Sequence, residues 1–507
     1  MQRNELKIGV VLSYVNMAIN FIIPLFYTPI MLRLMGQEEY GLFNLTQSVI
    51  GYLGLLTFGM STSIARYLMK YHTEGNRAMF QQTAGLFQMI YTGIAVVAMA
   101  IGCLITLFTG SLFAQGLKAH EIPRMNVLII IMSVGTAISF IGSVYTTIIF
   151  CYERHVFPRV TGIVMTILTP GINLLVLYLG YASIGLAVIN VSLTLASNIL
   201  NAWYCSKKIG IMPKFTNMPT KILREVIPFS CFVFISMIAD MLFWAIDKVF
   251  IGALMGTTSV AVYNIGVTFQ SMMQNMNGAI GGVFTPRVNR IVFSGQPISE
   301  NTALMIRVGR LQYLILSLFL SGFVVFGRPF IKLWAGEGYE ASYAVALLTM
   351  FPMTIPLIQN IAFQTITALN KHQFRSIMYL CMAVANAAAT YIVIPFLGVT
   401  GAALCTCVVV VLGNGLILNW YYYKKIGLNM LAFWSNILRM SIVPAVLAAV
   451  CLLFLPQVLS PWHLLFGAAA YTCVYIVLSW FFTMNRYEKD LVLGVITKFL
   501  PKKKAIG

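Results

Sequence analysis

A small set of polar and charged side chains stands inside long apolar runs of this 507-residue chain. Their types and spacing bound the chemistry it can do. Asp240 and Asp247 are seven residues apart, about two helical turns, so a helix there carries both carboxylates on one face with Trp244 between them. Lys248 follows at once. Carboxylates so placed can tune a polar cavity or carry a coupling proton or sodium ion; the plainer reading is that Asp247 pairs with a basic neighbour and locks its helix. Gln270, Gln274 and Asn277 follow i, i+4, i+7 spacing, one polar stripe on an otherwise apolar helix. Amides of this kind suit a hydroxyl-rich ligand such as a sugar, and interhelical hydrogen bonding accounts for them equally well. Asn44, Gln47 and Ser48 form a weaker stripe of the same sort.

Arginines supply the third kind of chemistry. Arg307 and Arg310 lie about one turn apart near the start of an apolar run, with Arg66, Arg287 and Arg290 at the ends of others. Their planar donors suit a pyrophosphate. Snorkelling to lipid phosphates is the alternative. Cys405 and Cys407 have no companion ligands and read as small residues packing in a helix. None of the nine cysteines forms a pair in an outer loop, so no disulfide is expected.

The elements that must position these groups are membrane helices. The chain is 59% hydrophobic and 9% charged, where a soluble protein carries roughly a quarter charged residues. Apolar runs of about twenty residues recur from end to end, each long enough to cross a ~30 Å hydrocarbon core. The reading is all-α, with about fourteen spans near 9–32, 41–65, 80–108, 125–150, 157–179, 184–204, 224–252, 259–284, 303–326, 341–366, 374–395, 401–422, 437–456 and 462–483. The run from Ile8 to Leu32 is longer than a signal-peptide core and lacks a small-x-small cleavage site, so it reads as a retained first helix. Pro24, Pro29, Pro352 and Pro356 are expected to kink their helices.

The net charge of +19 is a topology signal. Alternate connections hold the excess: Arg66, Lys70 and Arg77; Lys207, Lys208, Lys214 and Lys221; Arg287 and Arg290; Lys424 and Lys425; Lys502 to Lys504. The opposite set is offset by Glu38, Glu39, Glu121, Glu337 and Glu340. The positive-inside rule then puts both termini in the cytoplasm of a multi-pass inner-membrane protein. A nucleic-acid partner is not expected.

The chain also repeats itself. Trp203-Tyr-Cys-Ser-Lys-Lys-Ile-Gly210 returns 217 residues later as Trp420-Tyr-Tyr-Tyr-Lys-Lys-Ile-Gly427, and His155-x-Phe157 returns as His372-x-Phe374. Leu34-Met-Gly36 with Phe43-Asn44 returns 220 residues on as Leu254-Met-Gly256 with Tyr263-Asn264, an offset that also aligns Asn20 with Asp240. Leu112-Phe-Ala114 is echoed by Leu333-Trp-Ala335 at 221. Six spans separate each pair, so the copies enter the membrane in the same direction. The expected division is an N-lobe over 1–222, a C-lobe over 223–428, and two further helices with a basic tail over 429–507. Such repeats point to a carrier with its site between the lobes.

Here a family resemblance can be named. Asp247-Lys-Val-Phe-Ile-Gly252-Ala-Leu-Met-Gly256 with Val260-Ala-Val-Tyr263-Asn264, Gly36-Gln-Glu-Glu-Tyr-Gly-Leu-Phe43, and Leu333-Trp-Ala-Gly336-x-x-Tyr339 together resemble the polysaccharide transporters, the Wzx-type O-antigen and capsule flippases. That family shares a superfamily with multidrug and toxin extrusion proteins and lipid II flippases. The resemblance spans the first twelve helices. It implies a two-lobed inverted V around a central cavity, and a polyprenyl-pyrophosphate-linked glycan as substrate. It further implies membrane lipids and polysaccharide polymerase machinery as partners. No cofactor is expected beyond a coupling proton or sodium ion. A lipid II flippase and a cation-coupled drug antiporter are alternatives of the same fold. A membrane glycosyltransferase is the enzyme alternative, with Glu38 and Glu39 as its acidic motif. Its case is weak, because the outer loops reach only about fifteen residues, and no Walker-type loop offers direct ATP coupling.

Overall fold

The computed structural model describes residues 2–154, 156–371, 373–454 and 460–499. Side chains are not described for residues 2–17 or for some helical positions, Asp240 among them. His155 and His372, half of one repeat match, lie outside the described residues. Every regular element among the described residues is helical. Among the described residues ten helices are long and apolar enough to cross a membrane, and the protein is a multi-pass membrane protein. Its helices present large apolar side chains outward, as Phe396 and Leu453 do at 82% and 80% exposure. In water such a surface would be untenable; against lipid tails it costs nothing.

Helix contacts divide the chain into two compact units. The first comprises Met1–Ile265 and Arg375–Val409, the second Gly266–Phe374 and Val410–Gly507. In the first, α1 (Gln2–Met35) carries Pro24 and Pro29 without a break. α2 (Gln37–Gly51) and α3 (Met60–Thr73) replace the single span expected at 41–65. A 3-10 turn over Tyr52–Thr57 separates them and ends at Phe58 and Gly59, both left-handed. Then come α4 (Arg77–Leu112), α5 (Glu121–Cys151), α6 (Val156–Tyr178), α7 (Ala182–Tyr204) and α8 (Leu223–Met255).

α9 (Thr257–Phe293) begins in the first unit and continues in the second. α10 (Ile298–Trp334) follows. α11 (Ala341–Ile358) and α12 (Asn360–Ala368) break the span expected at 341–366 at Gln359. Pro352 and Pro356 have already removed two backbone donors there, and the Asn277 side-chain amide donates to the Leu357 carbonyl at 3.2 Å beside the break. α13 (Gln373–Val410) runs through two expected spans with one interruption, Gly398 at φ 61°. α14 (Leu418–Tyr421), α15 (Met430–Phe454), α16 (Pro461–Phe482) and α17 (Arg486–Phe499) complete the chain.

The sequence repeats coincide with repeated local geometry. In the first unit Tyr204 stacks on Phe157, centroids 3.9 Å apart; in the second Tyr421 stacks on Phe374 at 4.2 Å, both with rings 10° from parallel. Each motif ends in one π-helical turn, Cys205–Ile209 and Tyr422–Ile426, closed by a glycine in the left-handed region. The amides of Ile211 and Leu428 then return to the carbonyls of Cys205 and Tyr422, both at 3.0 Å. A side chain at those glycines would be strained, which explains why Gly210 and Gly427 close both copies.

Candidate functional site

Asp247, on α8, is buried within the first unit among four neutral donors. Its Oδ2 accepts from the Tyr263 hydroxyl and the Thr406 hydroxyl, each at 2.8 Å; its Oδ1 accepts from the Asn386 amide at 3.1 Å and the Thr390 hydroxyl at 3.3 Å. The donors come from α9 and from both sides of the Gly398 break in α13. Asn386 and Thr390, one turn apart, are fully enclosed. The basic partner expected for Asp247 is not what the helices bring to it. Lys248 turns instead to Asn264, donating at 2.6 Å, and Asn264 donates to the Tyr40 hydroxyl at 2.7 Å. A carboxylate held by hydroxyls and an amide keeps its hydrogen bonds, yet none of its four donors is charged, and Lys248 acts on it only through space, a costly state in a low-dielectric interior.

Other expected positions are dispersed. Trp244 is 39% exposed and meets Phe243 edge-on. Asp240 belongs to α8, with its side chain outside the described residues. Asn20 is on an exposed face of α1. Of the α9 stripe, Gln270 and Asn277 are buried and Gln274 is half-buried; Asn277 serves the break in α11, as interhelical bonding would have it.

The arginines separate into two kinds. Arg310 is buried and committed within the second unit. Its Nε donates to Glu488 Oε1 at 2.6 Å and one terminal nitrogen to Oε2 at 2.9 Å and to the Thr483 carbonyl at 2.8 Å; the other reaches Asn436 at 3.3 Å. Glu488 also closes a capping box on α17, exchanging hydrogen bonds with Asn485 at 2.9 Å in both directions. Arg307 sits over the Tyr487 ring, 4.6 Å from its centroid. Both helix-10 arginines therefore hold α17, whereas guidance of a headgroup was expected of them. Arg287 and Arg290 remain exposed and line a cavity of about 500 Å³ with Gln296 and Glu300. Arg66 is also exposed.

Near the start of α2 the expected acidic pair is consumed by ion pairing. Glu38 pairs with Lys118, and Glu39 pairs with Arg124 at 2.9 Å and takes the Ser183 hydroxyl. Lys118 holds the Glu38 carboxyl below the usual carboxylate range. Glu121 is buried and accepts from the Thr257 hydroxyl at 2.7 Å. Gly41 lies so close to Thr257 that a Cβ would overlap the latter's carbonyl.

Sequence reasoning missed Asn386, Thr390, Thr406 and Glu488. The first two stand at i, i+4 inside an apolar span, and Asn485-x-x-Glu488 is a capping-box pattern, so both signals were present. Thr406 carried none.

A family model described as "Polysaccharide biosynthesis protein" matches residues 6–292. A Shigella flexneri protein assigned as an O-antigen transporter is 20% identical over 401 residues, covering 77% of this chain and 91% of that protein. Among solved structures, the lipid II flippase MurJ in an inward closed conformation superposes with TM-score 0.70 at 13% identity, over 96% of this chain and 99% of its own. An inward-facing multidrug resistance MATE family transporter gives 0.60 at 13%, over 82% and 99%. These likenesses show that the chain has the transporter fold common to MurJ and the MATE proteins.

Proposed function

The chain belongs to the polysaccharide biosynthesis protein family, and we propose that it flips a polyprenyl-pyrophosphate-linked oligosaccharide, an O-antigen, capsule or exopolysaccharide unit, from the cytoplasmic to the outer leaflet. The observation that carries this reading is the likeness along nearly the whole chain to the lipid II flippase MurJ, joined to the family match. The repeats at 217 to 221 residues support lobes over 1–222 and 223–428 that rock to expose a site alternately, with 429–507 as an appendage. The protein is then a carrier and not an enzyme, in the cell membrane with both ends cytoplasmic, and polysaccharide polymerase is a natural downstream partner.

Two sites divide the labour. Arg287 and Arg290, exposed at a cavity in the second unit, draw the anionic headgroup from the cytoplasmic leaflet. Asp247 exchanges a proton or sodium ion: its carboxylate and the hydroxyl oxygens of Tyr263, Thr390 and Thr406 lie together, and a bound cation would discharge the buried charge. A lipid II substrate is the second reading, favoured by the MurJ likeness.

Deletion of the gene in its host tests both. Polyprenyl-linked oligosaccharide should accumulate and surface glycan should fall, with parental complementation restoring it. Arg287→Ala/Arg290→Ala should restore roughly a tenth or less at equal membrane abundance, about 1.4 kcal/mol per decade. Accumulation of lipid II instead would favour the second reading; unchanged lipid intermediates and surface glycan would refute the proposal.

A further inference from the structure

A second cavity, of about 480 Å³, lies wholly in the first unit among α3, α5 and α7. It falls within the ~300–1,000 Å³ range of small-molecule sites. α5 lines it with Ser139, Ser143, Thr146 and Thr147, one face at i, i+4, i+7, i+8 spacing, and α7 adds Asn198. No ionisable side chain lines it.

The hydrogen bonds fix what this lining offers. Each of the four α5 hydroxyls has one proton, and each spends it on its own helix. Ser139 donates to the Gly135 carbonyl at 2.9 Å, Ser143 to Phe140 at 2.7 Å, Thr146 to Gly142 at 3.5 Å and Thr147 to Ser143 at 2.9 Å. Asn198 donates to the Ile138 carbonyl at 2.9 Å. What remains is the hydroxyl lone pairs of α5, joined by the second N–H of Asn198 and the Ser61 hydroxyl, so the wall is neutral and mostly accepting. Serine and threonine often bond back to their helix merely to pack against a neighbour. Here Ser139 and Thr146 are exposed and border open volume, although Asn201 of α7 also donates to the Thr146 hydroxyl at 3.5 Å. Polar groups so placed at membrane depth line an aqueous cavity.

A neutral, mostly accepting wall offers phosphate no positive charge and few donors, and suits a ligand dense in O–H and N–H donors. Phe150, 54% exposed on the same wall, adds a ring face for the apolar side of a pyranose. We propose that this cavity is the glycan subsite, holding neutral sugar residues through α5 hydroxyls and Phe150, separate from the arginines that take the pyrophosphate. The inference rests on the flippase reading above and deepens it.

Binding to the full chain in nanodiscs tests it, with two probes: a short polyprenyl pyrophosphate, and the same lipid bearing an N-acetylhexosamine–hexose disaccharide. The parent should bind the glycosylated probe about tenfold more tightly, a difference of about 1.4 kcal/mol. Ser143→Ala/Thr147→Val and Phe150→Leu should each erase that preference and leave the bare lipid's Kd unchanged. Thr147→Ser, which keeps a hydroxyl, should retain it and serves as the folding control. A preference that survives both variants overturns the subsite, as does a parent that binds both probes equally, which leaves the flippase reading standing. A parent that binds neither probe overturns the flippase reading and this inference with it.

Discussion

Asp247 and Arg310 are both ionisable and both buried, yet their surroundings assign them opposite roles. Arg310 has a bidentate carboxylate and two further acceptors, so four of its five N–H donors are spent inside the protein. Asp247 takes its hydrogen bonds from neutral donors, with Lys248 acting on it only through space, so it can take up a cation without first breaking a hydrogen-bonded ion pair. Asp247→Asn keeps the shape and removes the charge. We expect membrane abundance within about twofold of the parent and transport per molecule down at least tenfold, with its dependence on an imposed proton or sodium gradient lost. Proteoliposome flux under imposed gradients, normalised to protein, reads this. Low abundance with intact flux per molecule would mark Asp247 as structural.

At the scale of elements, the Arg310–Glu488 pair fastens α17 beneath α10, α15 and α16. Removing one partner strands a buried charge, a loss of about 3–5 kcal/mol; removing both in favour of apolar residues of similar volume is often neutral. Arg310→Met and Glu488→Leu should therefore each lower the unfolding temperature clearly, and the double variant should recover most of the loss. Thermal unfolding of the purified variants, analysed as a double-mutant cycle, tests this; additive losses would show that the two do not act as a pair. The helix breaks are also element-scale decisions. Pro352 and Pro356 announced a disturbance, but its place at Gln359 follows from where Asn277 meets a freed carbonyl. Nothing in the residues 52–59 flagged the turn that divides α2 from α3 beyond their glycines.

For the whole molecule, the alternating basic connections predict orientation. Reporter fusions at Lys208 and Lys425 should read cytoplasmic and one at Gly336 external; a reversed reading at any of the three would overturn the map. Much was legible without coordinates: the all-helical membrane class, the repeat, and the family resemblance all come from signals local in the chain. Hydrophobic length decides whether a segment can leave water, and a left-handed closing turn demands glycine at Gly210 and at Gly427 alike. The chemistry of the polar residues was not legible in the same way. Asp247 finds its partners 16, 139, 143 and 159 residues away, and Arg310 finds Glu488 at a separation of 178. A helix sequence states which side chains share a face, but not which helix that face will meet. Only packing decides whether a buried charge is matched by an opposite charge, capped by neutral donors or left open to a ligand, because that choice depends on groups brought within 3 Å by the tertiary fold.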